Sequence, residues 1–173
     1  MTNYFEFFGL PLSPTVDLAQ LRKTFYANSK RFHPDFHTLK DTAEQEAVLE
    51  QSTINNQGYK ILNDDDQRLK HLLELKAVLG EEGTNQVPQD FLMEIMEVNE
   101  ALMELEFDND PMVRQKVTGI IDRLEAELRQ KVEDLFNHYD DASVTPADLE
   151  RLKDYYLKRR YLLRLRQQGE PEM

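Results

Sequence analysis

Apolar residues recur three or four positions apart along almost the whole chain, and this spacing limits the fold to packed helices. One example is the face formed by Leu18, Leu21, Phe25 and Phe32, on a helix that we expect to begin at about Asp17. Such spacing places the apolar side chains on one side of an α-helix. No stretch alternates apolar and polar residues over any length, as a half-buried strand would. The sequence therefore predicts an all-α fold.

Capping and stop signals divide this pattern into separate helices. Asn3 stands where a side chain can accept the free N–H groups of a helix start. Pro111 and Pro146 fit the first turn of later helices, with Asp110 and Thr145 as their caps and Asp148 completing a capping box with Thr145. His33 ends a helix because the residue before a proline is pushed out of the α region. We therefore expect helices over residues 4–8, 17–33, 42–62, 66–79, 89–107, 111–139 and 145–167. The last three are long and closely connected, which predicts an antiparallel three-helix unit.

Composition and charge exclude several classes of protein. No cysteine occurs, so disulfides, thiolate chemistry and cysteine-ligated zinc or iron–sulfur sites are excluded. Apolar runs are short and the first residues include Glu6 without a basic segment, so we expect no membrane span, no signal peptide and a cytoplasmic location. The net charge of −12 argues against nucleic-acid binding. That charge is uneven, with −2 over residues 1–76 and −10 over residues 77–173, which suggests two functional halves.

Residues 30–37, KRFHPDFH, invite a chemical interpretation. Catalysis by His33 and Asp35 would need a nucleophile or a pocket that tunes acid–base groups, and the sequence offers neither. A metal site of His33, Asp35 and His37 matches no zinc or calcium spacing, and the rigid Pro34 hinders convergence of its neighbours on one ion. For the tripeptide alone, a plain helix stop and turn is the simplest interpretation.

The residues around this tripeptide favour a protein-docking surface. Arg22, Lys23, Lys30 and Arg31 lie on the helix that leads into it, and we call these four residues the cationic strip. A proline lowers the entropy lost when the turn is held in a complex. A strip of cations steers an acidic partner and fixes its register. We therefore expect a docking site for an acidic protein.

The helix expected over residues 89–107 has two contrasting sides. One side is an apolar stripe that we expect to face the core: Phe91, Ile95, Val98, Leu102 and Leu105. The other side mixes apolar with acidic residues: Leu92, Met93, Met96 and Met103 with Glu97, Glu100 and Glu104. No Lys or Arg occurs between residues 77 and 113.

Two interpretations of the mixed side stay open. Methionines on helices usually pack in a core and glutamates usually face water, and we expect Met103 to pack against a neighbouring helix. For Leu92, Met93 and Met96 we favour a binding patch, because flexible apolar side chains rimmed by one charge suit a basic, apolar partner. Tyr161 is a candidate to extend the patch, although such a tyrosine more often lies at the edge of a core.

Several motifs together resemble a J-domain, the module that stimulates DnaK-type chaperone ATPases. They are the opening YFEFFGL, the basic helix ending in KRFHPD, and the later segments QSTINNQGYKIL and RLKHLLEL. The last two, with FLMEIMEVNEALMELE, are similar to the HscB family of co-chaperones of iron–sulfur cluster assembly. We expect a J-domain helical hairpin over residues 1–76, a linker over 77–87, a three-helix bundle over 88–168 and a flexible tail over 169–173. The family also implies an L-shaped molecule.

The resemblance implies two sets of contacts and no chemistry by the protein itself. His33, Pro34 and Asp35, with the cationic strip, would contact a DnaK or HscA-type chaperone and stimulate its ATPase. The scaffold on which the cluster is built, of the IscU type, would be held by the bundle. The implied scaffold contacts are Leu92, Met93, Met96, Glu97, Glu100, Glu104 and Tyr161. No cofactor, metal, nucleic acid or membrane is implied.

The chain departs from the family pattern at a few positions. Phe36 stands where Lys is frequent, and neither Phe36 nor His37 has an assigned role. Gly58 replaces a usual Ala, which costs up to ~1 kcal/mol within a helix. The other departures are Asp65, Leu69 and His71 for Pro, Ala and Tyr, Met96 for Leu, and Tyr161 for Phe. Two rival functions stay open: a J-protein with another client and a bundle used for dimerisation or structure, or a small metal-dependent enzyme centred on His33, Asp35 and His37.

Overall fold

The computed structural model describes residues 1–170, and its regular elements are all helical. The α-helices are α1 Tyr4–Phe7, α2 Leu18–Arg31, α3 Thr42–Leu62, α4 Asp65–Leu75, α5 Gln89–Glu94, α6 Met96–Phe107, α7 Pro111–His138 and α8 Pro146–Gln168. A short 3₁₀ helix, Pro34–Phe36, follows α2. The all-α prediction is confirmed. Among residues 1–170, no helix combines the length and the apolar character needed to cross a bilayer.

The chain forms two compact units. Unit 1 comprises Met1–Ala77 together with His138–Val144, and unit 2 comprises Val78–Asn137 and the chain from Thr145 onward. The boundaries expected from the sequence do not include the second stretch of unit 1. The expected flexible tail over residues 169–173 lies mostly outside the described residues. Gly169, its first residue, is buried and caps α8, and its carbonyl accepts a hydrogen bond from Arg114.

Side chains at the helix starts satisfy backbone donors that have no partner within the helix. Asn3 accepts from the N–H of Glu6, and Asp17 accepts from the first turn of α2. At the start of α8, Thr145 and Asp148 form the reciprocal capping box that the sequence predicts. The predictions for Asn3 and for Thr145 with Asp148 are confirmed, whereas Asp17, expected to begin the helix, is its cap.

The core of unit 1 is built where α1 packs onto the other helices. Its buried side chains are Phe5, Phe8, Leu10, Leu21, Leu62 and Leu72. The predicted apolar face of α2 is only partly correct, because Leu21 is fully buried whereas Leu18 is 45% exposed. Leu18 lies in the first turn of α2, at the edge of the packed region.

Gly58 lets α1 approach α3 closely. A Cβ at position 58 would lie 2.7 Å from Cδ1 of Tyr4 and 2.8 Å from Cε2 of Phe8. On the same helix, the buried Asn55 donates from Nδ2 to the carbonyl of Phe25 at 3.2 Å, which ties α3 to α2. The buried side of α3 is therefore defined by a glycine and an amide as much as by apolar residues.

A buried arginine organises the start of α4. Arg68 donates from Nε to the carbonyl of Pro14 at 2.9 Å and from Nη1 to the carbonyl of Leu62 at 2.8 Å. It also donates to the carboxylate of Asp65, its ion-pair partner. The helix ends at Leu75, earlier than the predicted residue 79, and Ala77 then takes a left-handed backbone conformation with φ 59°.

The second stretch of unit 1 packs onto the first. Tyr139 lies against the unit 1 core, and its hydroxyl donates to Oδ1 of Asp141 at 2.9 Å. The same carboxylate oxygen lies 2.9 Å from Nζ of Lys76. Burial works to raise the pKa of Asp141, but the hydrogen bonds from Lys76 and Tyr139 prevail and lower it. Residues 138–144 are thus held by both packing and charge.

Unit 2 contains α5, α6, α8 and most of α7. The predicted stripe is largely correct, because Phe91, Ile95 and Val98 are fully buried. The single helix expected over residues 89–107 is instead divided at Ile95, whose φ of −92° and ψ of 3° interrupt the helix. Backbone hydrogen bonds from Ile95 to Phe91 and from Asn99 to Ile95 continue across the division, so the interruption is local.

Candidate protein-docking sites

The residues His33–His37 form a self-supporting bend that we call the HPD turn. His33 has extended backbone angles and caps the 3₁₀ helix, with its Nδ1 accepting the N–H of Asp35 at 3.2 Å. Backbone hydrogen bonds join Phe36 to His33 at 3.1 Å and His37 to Pro34 at 3.0 Å. Pro34 restricts its own backbone in addition. The turn therefore holds its shape through its own residues.

Two side chains anchor the HPD turn to the neighbouring helices. Nε2 of His37 lies 2.8 Å from the carbonyl of Arg31, and it must carry the proton because a carbonyl only accepts. The amide of Gln45 on α3 donates to the carbonyls of His37, Thr38 and Lys40. His37, which had no assigned role, therefore fixes the turn to the end of α2.

The carboxylate of Asp35 points into solvent. The side chain is 85% exposed, and its Oδ2 lies 3.7 Å from Nδ1 of His33. That distance is too long for a hydrogen bond, and Nδ1 already accepts the backbone N–H. Within the described residues, no three His, Asp or Glu side chains form a group that could hold a metal ion. Asp35 is thus available to a partner, and the metal interpretation of His33, Asp35 and His37 gains no geometric support.

The cationic strip lies beside the HPD turn and is free of intramolecular ion pairs. All four of its residues are exposed, and none forms a salt bridge within the described chain. At about 100° per residue, Arg22, Lys23 and Lys30 fall within about 100° of one direction on α2. The strip therefore presents its charge to the outside of unit 1.

Two exposed aromatic residues that sequence reasoning missed lie next to this strip. Tyr26 and Phe36 line a shallow depression of about 410 Å³ with Ser29, Lys30 and His33. The ring of Phe36 meets the ring of His33 edge to face, with centroids 6.0 Å apart. The helical spacing of Tyr26 from Arg22 and Lys30 was the available signal, whereas Phe36 depends on how the HPD turn folds.

The second predicted site lies on the surface of unit 2. Leu92, Met93 and Met96 are 38%, 68% and 55% exposed, and we call them with Glu97, Glu100 and Glu104 the apolar–acidic patch. The three glutamates are also exposed. Glu97 lies 3.8 Å from Nζ of Lys116 on α7, a contact between two exposed groups. The core interpretation therefore does not describe these three apolar side chains.

Met103 and Tyr161, the two other residues predicted for this region, differ in how exposed they are. Met103 was expected to pack against a neighbouring helix, and this prediction is wrong, because Met103 is 61% exposed. It lies on the side of α6 opposite to the buried stripe, where none of the helices described in residues 1–170 covers it. Tyr161 is half-buried, and its ring meets the buried ring of Phe91 edge to face at 6.4 Å. Tyr161 therefore joins α8 to α5 at the edge of the core.

Comparisons with known proteins agree on one family. A family model described as the HSCB C-terminal oligomerisation domain matches residues 87–169. The co-chaperone protein HscB homolog of Haemophilus ducreyi is 32% identical over 162 residues, which cover 91% of each chain. The iron–sulfur cluster co-chaperone protein HscB of Mus musculus is 28% identical over 160 residues, which cover 92% of this chain and 64% of the mouse protein.

Solved structures show the same similarity across both units. The chaperone HscB from Vibrio cholerae has a TM-score of 0.69 and 25% identity, covering 97% of this chain and 95% of its own. The human co-chaperone protein HscB has a TM-score of 0.76 and 25% identity, covering 98% of this chain and 81% of its own. The likeness therefore extends over nearly the full length and is not confined to one unit.

Proposed function

The chain belongs to the HscB family of co-chaperones, and we propose that it joins two binding events in iron–sulfur protein maturation. Unit 1 would engage a DnaK or HscA-type chaperone and stimulate its ATPase. Unit 2 would hold an IscU-type scaffold and bring it to that chaperone. The protein would act by recruitment, with no catalytic side chain and no bound cofactor of its own.

The observation that carries this proposal is the opposite character of the two exposed surfaces. The HPD turn presents a free carboxylate beside four unpaired cations, whereas the apolar–acidic patch lies in a stretch without any Lys or Arg from residue 77 to residue 113. Charge complementarity selects partners and speeds their encounter. Surfaces of opposite sign on one chain suit two different partners, one acidic and one basic.

The proposed mechanism follows from holding both partners at once. A scaffold bound to unit 2 stays near a chaperone bound to unit 1, so its second encounter becomes intramolecular. The chaperone contact would rest on His33, Pro34, Asp35 and the cationic strip. The scaffold contact would rest on the apolar–acidic patch, with Tyr161 at its margin. The domain limits of 1–76 and 88–168 and the cytoplasmic location also stay predictions.

A second candidate function is supported by the description of the matching family model. That model is described as an oligomerisation domain, and it covers most of unit 2. In this alternative, unit 2 would bind a second copy of the chain, and unit 1 would serve another client. The strong negative charge of the exposed patch opposes a symmetrical contact, because like charges would then face each other.

One experiment separates these functions. The ATPase rate of a purified DnaK or HscA-type chaperone is measured with the protein alone, with a purified IscU-type scaffold alone, and with both. We expect the protein alone to stimulate hydrolysis and the two together to stimulate it more than additively. If the chaperone ATPase rate does not rise under any of these conditions, the co-chaperone role is contradicted. If the protein raises the rate equally with and without the scaffold, the second candidate is favoured. The protein's own sedimentation then reports whether it forms dimers.

A further inference from the structure

The outward side of α6 carries an apolar ridge that extends beyond the C-terminal end of the apolar–acidic patch. Met103 and Phe107 are 61% and 89% exposed, and they follow Met96 along the helix. At about 100° per residue, the three side chains fall within about 40° of one direction. We call Met96, Met103 and Phe107 the α6 ridge. The buried residues of α6 lie on the opposite side: Val98, Ala101 and Leu102.

The α6 ridge has the size of a contact site. Its ends, Met96 and Phe107, are eleven positions apart, which corresponds to about 16 Å along the helix. Isolated apolar residues are normal on a protein surface, whereas several exposed ones on one side of a helix favour an interaction site. Methionine is also suited to such surfaces, because its flexible side chain adapts to a partner. The end of the ridge at Phe107 adds a large aromatic ring, a residue type enriched in interfaces.

The charges around the ridge define the chemistry of its occupant. Glu100 borders the ridge, and the other nearby acidic residues are Glu97, Glu104, Glu106 and Asp108. Lys116 on α7 lies 3.8 Å from Glu97. The matching surface would have apolar side chains surrounded by lysines and arginines. A second copy of the chain does not match, because its own ridge would bring glutamates against glutamates.

We propose that the scaffold contact continues along α6 past Met96 and includes Met103 and Phe107. This inference rests on the proposed function and extends it by two residues that sequence reasoning did not assign to the site. The ridge is the apolar centre of the contact, and the glutamates form its charged rim. The scaffold surface that meets Met103 and Phe107 is apolar with basic neighbours.

The test uses the full chain with Met103→Ala and Phe107→Ala together. Binding of a purified IscU-type scaffold is measured by titration calorimetry at low and at moderate salt. We expect the dissociation constant to rise about tenfold or more, as for buried anchors of an interface. Its salt dependence should stay that of the unmodified protein, because no charge is removed. A second variant, Glu104→Gln, should instead weaken the salt dependence, as rim charges do. Leu39→Ala removes a fully exposed apolar side chain of unit 1 and is the matched control.

The outcomes distinguish this inference from the function on which it rests. Unchanged scaffold affinity of the double variant, with scaffold binding by the unmodified protein intact, overturns the ridge and leaves the proposed function. Failure of the unmodified protein to bind the scaffold overturns both. Loss of self-association with unchanged scaffold affinity identifies a second copy as the occupant and also overturns the inference. The inference is supported if the double variant loses scaffold affinity but, without scaffold, still stimulates the chaperone ATPase as the unmodified protein does.

Discussion

The ring of Tyr4 lies against the backbone of Gly58, so close that a Cβ there would stand 2.7 Å from Cδ1 of the tyrosine. Cβ atoms do not approach non-bonded heavy atoms to within this distance. The missing side chain therefore permits α1 to settle on α3 and to bury Phe5 and Phe8. Gly58 lowers the helix propensity of α3, as expected from the sequence, but the same missing side chain is what lets α1 pack there.

Two glycine substitutions test this relationship. Gly58→Ala should lower the free energy of unfolding by about 1–3 kcal/mol, because α1 must shift to make room. Gly119→Ala on α7 is the control, since a Cβ there meets nothing within 4 Å, and it should raise stability by up to ~1 kcal/mol. Urea unfolding followed by circular dichroism measures both. Equal gains in the two variants would show that the close approach does not constrain position 58.

Acid should destabilise the protein through His71. Burial lowers the pKa of this imidazole, although the charge of Glu74 acts to raise it. Its Nε2 accepts the N–H of Tyr4 at 3.2 Å, so the folded protein holds the neutral form. The unfolded chain binds the proton more readily, and stability therefore falls as the pH drops through about 6.5 toward the lower pKa of the folded state.

The matched variant for this effect is His71→Phe. A phenyl ring can keep the stacked contact with Phe5, whose centroid lies 5.6 Å from that of His71. Urea midpoints at pH 7.5 and pH 5.5 should differ less in this variant than in the unmodified protein. If the two proteins lose stability equally on acidification, His71 is not the group that responds.

Asp35→Asn should abolish stimulation of the chaperone ATPase without harming the fold. The carboxylate is exposed and accepts no hydrogen bond from the described residues, so the change in stability should stay within about 0.5 kcal/mol. Glu46→Gln, which removes an exposed charge elsewhere on unit 1, is the control and should stimulate normally. Full stimulation by the Asp35 variant, at saturating concentration, would contradict the role of the HPD turn.

The triple variant Leu92→Ala, Met93→Ala and Met96→Ala should lose the scaffold and keep direct ATPase stimulation. All three side chains are exposed, so their truncation removes contact area without opening a cavity. Scaffold affinity should fall more than tenfold, as expected for central interface residues. Calorimetric titration measures the affinity, and thermal unfolding checks the fold. An unfolded triple variant would show that these residues stabilise unit 2 instead.

Local signals in the sequence predicted most of the helix boundaries. Asn3 and Thr145 act as caps because their side chains need only the next few backbone groups. The stripe from Phe91 to Val98 follows in the same way from helical spacing. Such features depend on residues that are close in the sequence, so the sequence alone is enough to predict them.

The missed features depend on neighbours in space. Met103 shares helix α6 with buried residues, and only the positions of other helices decide that it stays uncovered. Ile95 interrupts a helix without any proline or glycine, and Ala77 takes a left-handed conformation that glycine usually takes. His37 likewise anchors the turn through the carbonyl of Arg31, six residues earlier, and only the folded HPD turn places the two groups side by side.

Unit 1 is assembled from two stretches of chain, and a ribosome makes them at different times. Tyr139, which packs against the unit 1 core, and Asp141, which pairs with Lys76, leave the ribosome only after α5, α6 and almost all of α7. At about 5–20 residues per second, several seconds pass between the two stretches. A nascent chain that stops at residue 77 would lack these contacts. The unit proposed to engage the chaperone is therefore finished only when much of the scaffold-binding unit already exists.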